Sequence, residues 1–147
     1  MKKHLMIMLI MAFAVFITSC KKDKETDSSQ ATIAKLQGRW MATSQVEKVY
    51  EKAGNKLVSE KTTPYIANQR EIEYKGNEIT YYFNGTPEDT YSYAIIGTEI
   101  RLREDNSGVY YQLKFYSDTQ HSHTEEYDYK NNAIEMKEVT ETIYSRK

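Results

Sequence analysis

The sequence predicts an all-β domain, an antiparallel up-and-down meander closing into a barrel of about eight strands. Two observations predict it. From Gly38 onward apolar and polar side chains alternate with a period of two, not the 3.6 of a helix. Corners rich in glycine and asparagine interrupt the alternation at intervals that suit hairpins. A chain of 147 residues has room for one such domain.

Strands are expected over residues 38–50, 56–62, 69–75, 78–83, 89–96, 98–103, 109–117, 121–130 and 133–145. Ile72 and Tyr74 stand between Glu71, Glu73 and Lys75; Ile79, Tyr81 and Phe83 alternate with Thr80 and Tyr82. Ile100 and Leu102 alternate with Glu99, Arg101 and Arg103, and Val109, Tyr111, Leu113 and Phe115 with Tyr110, Gln112, Lys114 and Tyr116. Between these runs lie Gly54-Asn55, Gly76-Asn77, Asn84-Gly85, Gly97, Asp105-Asn106-Ser107-Gly108 and Asn131-Asn132, residues that tolerate the positive φ of tight turns. Asn84-Gly85-Thr86 also matches a glycosylation acceptor, but it reads as a turn. In the last strand Ile134 and Met136 share one parity while Val139 and Ile143 share the other, so a bulge is expected near Lys137. Only the stretch from Ile33 to Leu36 looks helical.

The first nineteen residues are of another kind. Lys2 and Lys3 precede an uncharged apolar run from Leu5 to Ile17, which at thirteen residues is short of the roughly 20 a spanning helix needs. Residues 1–19 therefore read as an export signal peptide. Ile17-Thr18-Ser19-Cys20 resembles the lipobox of bacterial lipoproteins, and the resemblance implies cleavage before Cys20 and lipidation of its sulfur. Cys20 is the sole cysteine, so no internal disulfide competes for it. Two or more acyl chains together give stable anchoring.

Residues 20–35 are expected to be the lipidated cysteine and a flexible tether. Residues 21–31 are polar and charged, too poor in apolar side chains to offset the entropy of ordering, and would reach roughly 18 Å on average. Lys21-Lys22-Asp23-Lys24-Glu25 is similar to the export signal behind the cysteine of surface lipoproteins of Bacteroidota, although Lys24 separates the two acidic residues that the pattern prefers adjacent. The implied localisation is the outer membrane, lipid-anchored and surface-exposed, with the periplasmic face as the alternative.

Residues 36–147 are expected to form the barrel domain. Leu36-Gln37-Gly38-Arg39-Trp40 resembles the Gly-x-Trp opening of lipocalins, and Ile143-Tyr144-Ser145-Arg146-Lys147 is similar to the close of short lipocalin-like lipoproteins. The resemblance implies that Trp40 plugs one barrel end and that Arg146 lies over it; the alternative is a plain core tryptophan beside a fraying terminus. The domain departs from true lipocalins in its small size and in lacking a long C-terminal helix.

Cleavage would remove Lys2 and Lys3, leaving 18 basic against 21 acidic residues, about −3, with no basic stripe. Nucleic acid is accordingly excluded as an expected partner. All 13 tyrosines follow residue 20. If the Ile79/Tyr81/Phe83 parity faces inward, then Tyr81, Tyr91, Tyr93 and Tyr111 line the interior, while Tyr82, Tyr110 and Tyr116 lie outside. Tyr81, Tyr91, Tyr93, Tyr111 and Phe115, with Trp40 and Arg146, are the candidate contacts for a small amphipathic ligand; core filling explains the same tyrosines more simply. An outward set would instead suit a protein or glycan partner. His121, His123 and Glu125 stand two apart on one strand and could face one way as metal donors, although a polar strand beside a turn accounts for them more simply. No nucleophile elbow, phosphate loop or zinc-protease helix is present. The expectation is a non-enzyme without a cofactor: a lipid-anchored binding barrel, or alternatively an interaction module with a filled barrel.

Overall fold

The computed structural model describes residues 20–103 and 109–147, with only the backbone course of residues 20–27. The expected signal peptide over 1–19, the side chain of Cys20 and the turn at 105–108 lie outside the described residues. One helix, α1 (Cys20–Leu36), leads into nine strands: β1 (Gly38–Glu51), β2 (Lys56–Pro64), β3 (Arg70–Lys75), β4 (Glu78–Phe83), β5 (Thr86–Ile96), β6 (Glu99–Leu102), β7 (Tyr110–Ser117), β8 (Gln120–Asn131) and β9 (Ile134–Arg146). Every neighbouring pair is antiparallel, and β1 pairs with β9, so eight strands close an up-and-down barrel with β2 as one outer strand.

β1 explains how nine strands make an eight-membered ring. Its first part, Gly38–Met41, pairs with β3, whereas its second part, Ser44–Glu51, pairs with β2; β9 follows the other edge throughout. The register of β1 on β9 slips between Ala42 and Ser44, a bulge at Thr43 that lets the strand leave the ring. Beyond it, β2, β1, β9 and β8 continue as a four-stranded ribbon.

The bulge expected near Lys137 is not there. β9 pairs with β8 without interruption from Ile134 to Ser145, and Lys137 sits opposite Asp128 and Tyr50. Met136, Thr140 and Tyr144 share the buried face, while Val139 and Ile143 lie half-buried on the other. Val139 stands in register between Lys48 and Glu126, so an apolar residue rests on the outer face with no change of phase.

The tether is also corrected. Where a flexible leash is expected, α1 runs from Cys20 to Leu36. Residues 20–36 hold no glycine or proline, and the helix is anchored where it meets the barrel: Leu36 is fully buried and Ile33 packs against the core. Ser29 donates to the Ile95 carbonyl, and Lys35 pairs with Asp118 at 2.8 Å. Gln37 then bonds both ways to Gly76 in the β3–β4 turn, its Nε2 donating to the carbonyl at 3.0 Å and its Oε1 accepting from the amide at 2.7 Å. Gly38 has φ +105, a backbone conformation that favours glycine, while the space would admit a Cβ, whose nearest neighbour would be Arg146 Nη1 at 3.4 Å.

Candidate functional site

The barrel interior has a filled half and an open half. In the filled half Trp40, Tyr74, Tyr93, Ile72, Ile79, Ile100 and Leu113 pack in one cluster beneath α1. Trp40 Nε1 donates to the Leu36 carbonyl at 2.6 Å, which satisfies a helix-end acceptor and fixes the indole across the barrel end. The Arg146 guanidinium lies 4.3 Å from the Trp40 ring and donates to the carbonyls of Gln37 at 2.9 Å and Lys35 at 2.7 Å. Tryptophan and arginine thus meet as the resemblance implies, and together they shut this end.

The other end opens into a cavity of about 370 Å³. Its walls carry the side chains of Tyr81, Tyr111 and Tyr144, with His123 among them and Arg70, Glu88 and Glu125 around the rim. An adjoining recess shares Tyr81, Glu88 and Tyr111 and adds Asp89, Tyr91 and Leu102. β7 pairs with β8 only as far as Thr124, so Glu125 is the first β8 residue past that partner. The Tyr81 hydroxyl is buried beside Tyr111 without a hydrogen bond of good geometry. Burial drives the pKa of Tyr81 and of Tyr144 upward, so both hydroxyls stay protonated.

Of the candidate ligand contacts, Tyr81 and Tyr111 line this cavity and Tyr91 lines the recess. Trp40, Tyr93, Phe115 and Arg146 do not. Trp40 and Arg146 are the plug, and Tyr93 spends its hydroxyl on the Gly76 carbonyl at 3.1 Å in the filled half. Phe115 lies under Lys35 at 4.6 Å and beside His121. Tyr110 and Tyr116 are exposed on the outside, and Tyr82 stacks outside under Arg39 at 3.8 Å.

His121 and His123 both point inward and are buried. His123 Nε2 shares a hydrogen bond of 2.6 Å with the Tyr74 hydroxyl, and its ring stacks on Tyr111 at 5.3 Å. His121 stacks on Tyr144 at 5.3 Å and meets Trp40 edge-on at 4.3 Å, with neither ring nitrogen hydrogen-bonded. Burial pushes His121 down to about 2, aided by His123 and Arg146, and His123 down to about 3, so both rings are neutral at ordinary pH. Among the described residues no group of three or more His, Cys, Asp and Glu is placed to hold a metal ion. The candidate set of His121, His123 and Glu125 spans from the sealed core to the rim, and His123 gives its Nε2 to Tyr74.

Reading the strand beside its hairpin partner would have placed the histidines inside. His121 stands opposite Phe115 and His123 opposite Leu113, so they inherit the inward parity of those apolar residues. Tyr144 and Thr142 at the mouth follow in turn, as the β9 partners of His121 and His123. No protein-family model matches the chain, and no curated protein is similar enough to serve as a relative.

Proposed function

We propose that this protein is a lipid-anchored, lipocalin-like barrel that holds a small amphipathic molecule in its open mouth and catalyses no reaction on it. The observation that carries the proposal is the cavity of about 370 Å³ walled by Tyr81, Tyr111 and Tyr144 and rimmed by charged residues. Its size falls at the small end of the range that binds small molecules, and its walls offer flat apolar faces with hydroxyls at their edges.

Lipid on Cys20 would hold the barrel to the outer membrane, at the cell surface or on its periplasmic face. Because α1 packs across the plugged end, the mouth then opens away from the anchor. Metabolic labelling with an alkynyl fatty acid tests the anchor: Cys20→Ala must abolish incorporation. Native mass spectrometry of gently purified protein tests the container: a stoichiometric adduct released on denaturation is expected, and lost when Tyr111→Ala and Tyr81→Ala are combined. Protein that stays empty in every extract and binds no small amphipath would overturn it.

A second role, binding a protein or glycan partner at the surface, is favoured by the ribbon. β2 is exposed along its whole length, and Leu57, Val58 and Tyr127 stand out in solvent. Crosslinking on intact cells through a residue of β2 would recover such a partner.

A further inference from the structure

We infer that the mouth takes an organic cation, an ammonium group carried on a compact apolar body. This rests on the container proposed above and names the chemistry of its contents. Glu88 and Glu125 stand at the rim, and Asp89 joins Glu88 in the adjoining recess. Among the described residues none of these three carboxylates takes part in an ion pair. Glu71 also borders the cavity, but its carboxylate is already held by Arg39 and by Lys147 at 2.7 Å. Arg70 is the cavity's one cationic residue among those described, and its guanidinium lies 5.6 Å from the ring of Tyr65. Two unpaired carboxylates in the cavity, with a third in the adjoining recess, therefore outnumber its one guanidinium, and low-dielectric walls concentrate the resulting field, which attracts cations.

The walls agree with the charge. Tyr81, Tyr111 and Tyr144 line the cavity, and aromatic rings attract a cation through the ring quadrupole, most strongly where water is excluded. Burial holds the Glu125 carboxyl above its ordinary range and Glu138 adds to this, a tension that a bound cation relieves. A carboxylate ligand of equal size would meet the like charges of Glu88 and Glu125 and find only Arg70.

The test uses the full-length chain in a neutral glycoside detergent and three ligands of matched shape: 2-phenylethylammonium, 2-phenylethanol and 3-phenylpropionate. Calorimetric titration should rank the ammonium first, at least tenfold above the alcohol, with the carboxylate weakest. The double substitution Glu88→Gln with Glu125→Gln should remove the preference, bringing ammonium binding down to that of the alcohol on the same variant. If the alcohol or the carboxylate binds as well as the ammonium, the cation assignment falls while the container stands. If none of the three binds and the isolated protein carries no adduct, both fall.

Discussion

Replacing His121 by phenylalanine should make the barrel more stable and less sensitive to acid. Both imidazole nitrogens are buried without a partner, and an unsatisfied buried polar group costs roughly 1–3 kcal/mol. A phenyl ring of similar breadth keeps the stack on Tyr144 and the edge contact with Trp40, so a gain of about 1–2 kcal/mol at pH 7.5 is expected. The pH dependence follows from linkage. Unfolded, the imidazole titrates near 6.5; folded, it is pushed down to about 2. Above pH 6.5 neither state takes the proton. Below it the unfolded chain binds a proton that the folded chain refuses, so stability falls by about 1.4 kcal/mol per pH unit for each such histidine. His123, held at about 3, behaves alike. At pH 5 each ring has cost about 2 kcal/mol, and the wild-type protein has lost about 4 kcal/mol to the pair. The phenylalanine variant should lose only half of that. Urea unfolding followed by circular dichroism at pH 7.5 and 5.0 measures both quantities. A variant less stable at pH 7.5, or one with the full wild-type loss at pH 5.0, would refute the account of a neutral, unpartnered ring.

Other substitutions probe the plug, the core hydrogen bond and a turn. Tyr74→Phe removes the partner of His123 Nε2 and should cost about 1–2 kcal/mol in the same urea assay. Arg146→Met breaks the contact over Trp40 and two bonds to backbone carbonyls; a loss of about 2–4 kcal/mol is expected, read as a lower Tm, and Arg146→Lys should recover only a minor part. Ala133 is held at φ 69 in the β8–β9 turn, where a side chain is strained, so Ala133→Gly should raise stability by about 1 kcal/mol. Glu71→Gln should destabilise by roughly 1–2 kcal/mol, because it removes the counter-charge of Arg39 and Lys147 but leaves those two cations partly in water. Burial opposes ionisation of Glu71, but hydrogen bonds from Lys147 and Arg39 outweigh it and hold its pKa below the ordinary carboxylate range; the stability it adds is therefore lost only as pH falls through that lowered value.

Much of the fold is legible in the sequence, because strand parity and turn residues are local. Asn84 and Gly85 at φ 51 and 80 form the tight corner that their identities announce, and the inward set of Ile79, Tyr81, Tyr91, Tyr93 and Tyr111 follows from alternation alone. What was illegible depends on pairing. Ala42, Thr43 and Ser44 are too small or polar to mark a side, so the bulge at Thr43 leaves no trace in the pattern, while Val139 and Ile143 suggest one where none exists. Nothing local says that β1 changes partner halfway, which makes β2 an outer strand. α1 shows only Ile33 and Leu36 as apolar anchors near the barrel, too few for a periodic signal. The histidines are polar by type and internal by register.

The site itself is a consequence of unequal strand lengths. β1, β8 and β9 have 14, 12 and 13 residues, whereas β3, β4 and β6 have 6, 6 and 4. At the end beneath α1 the strands meet in a ring, and its narrow interior fills with Trp40, Tyr74 and Tyr93. At the far end β3 gives way to β2 along β1, and β7 leaves β8 at Thr124. The wall is then no longer continuous, and no opposing strand can supply side chains to fill the space between Tyr81, Tyr111 and Tyr144. Lengthening β7 and β3 to pair with the whole of β8 and β1 would extend the closed ring and fill the mouth. The opening is therefore built by the same long strands that carry Glu125 to its rim and Tyr144 into its wall.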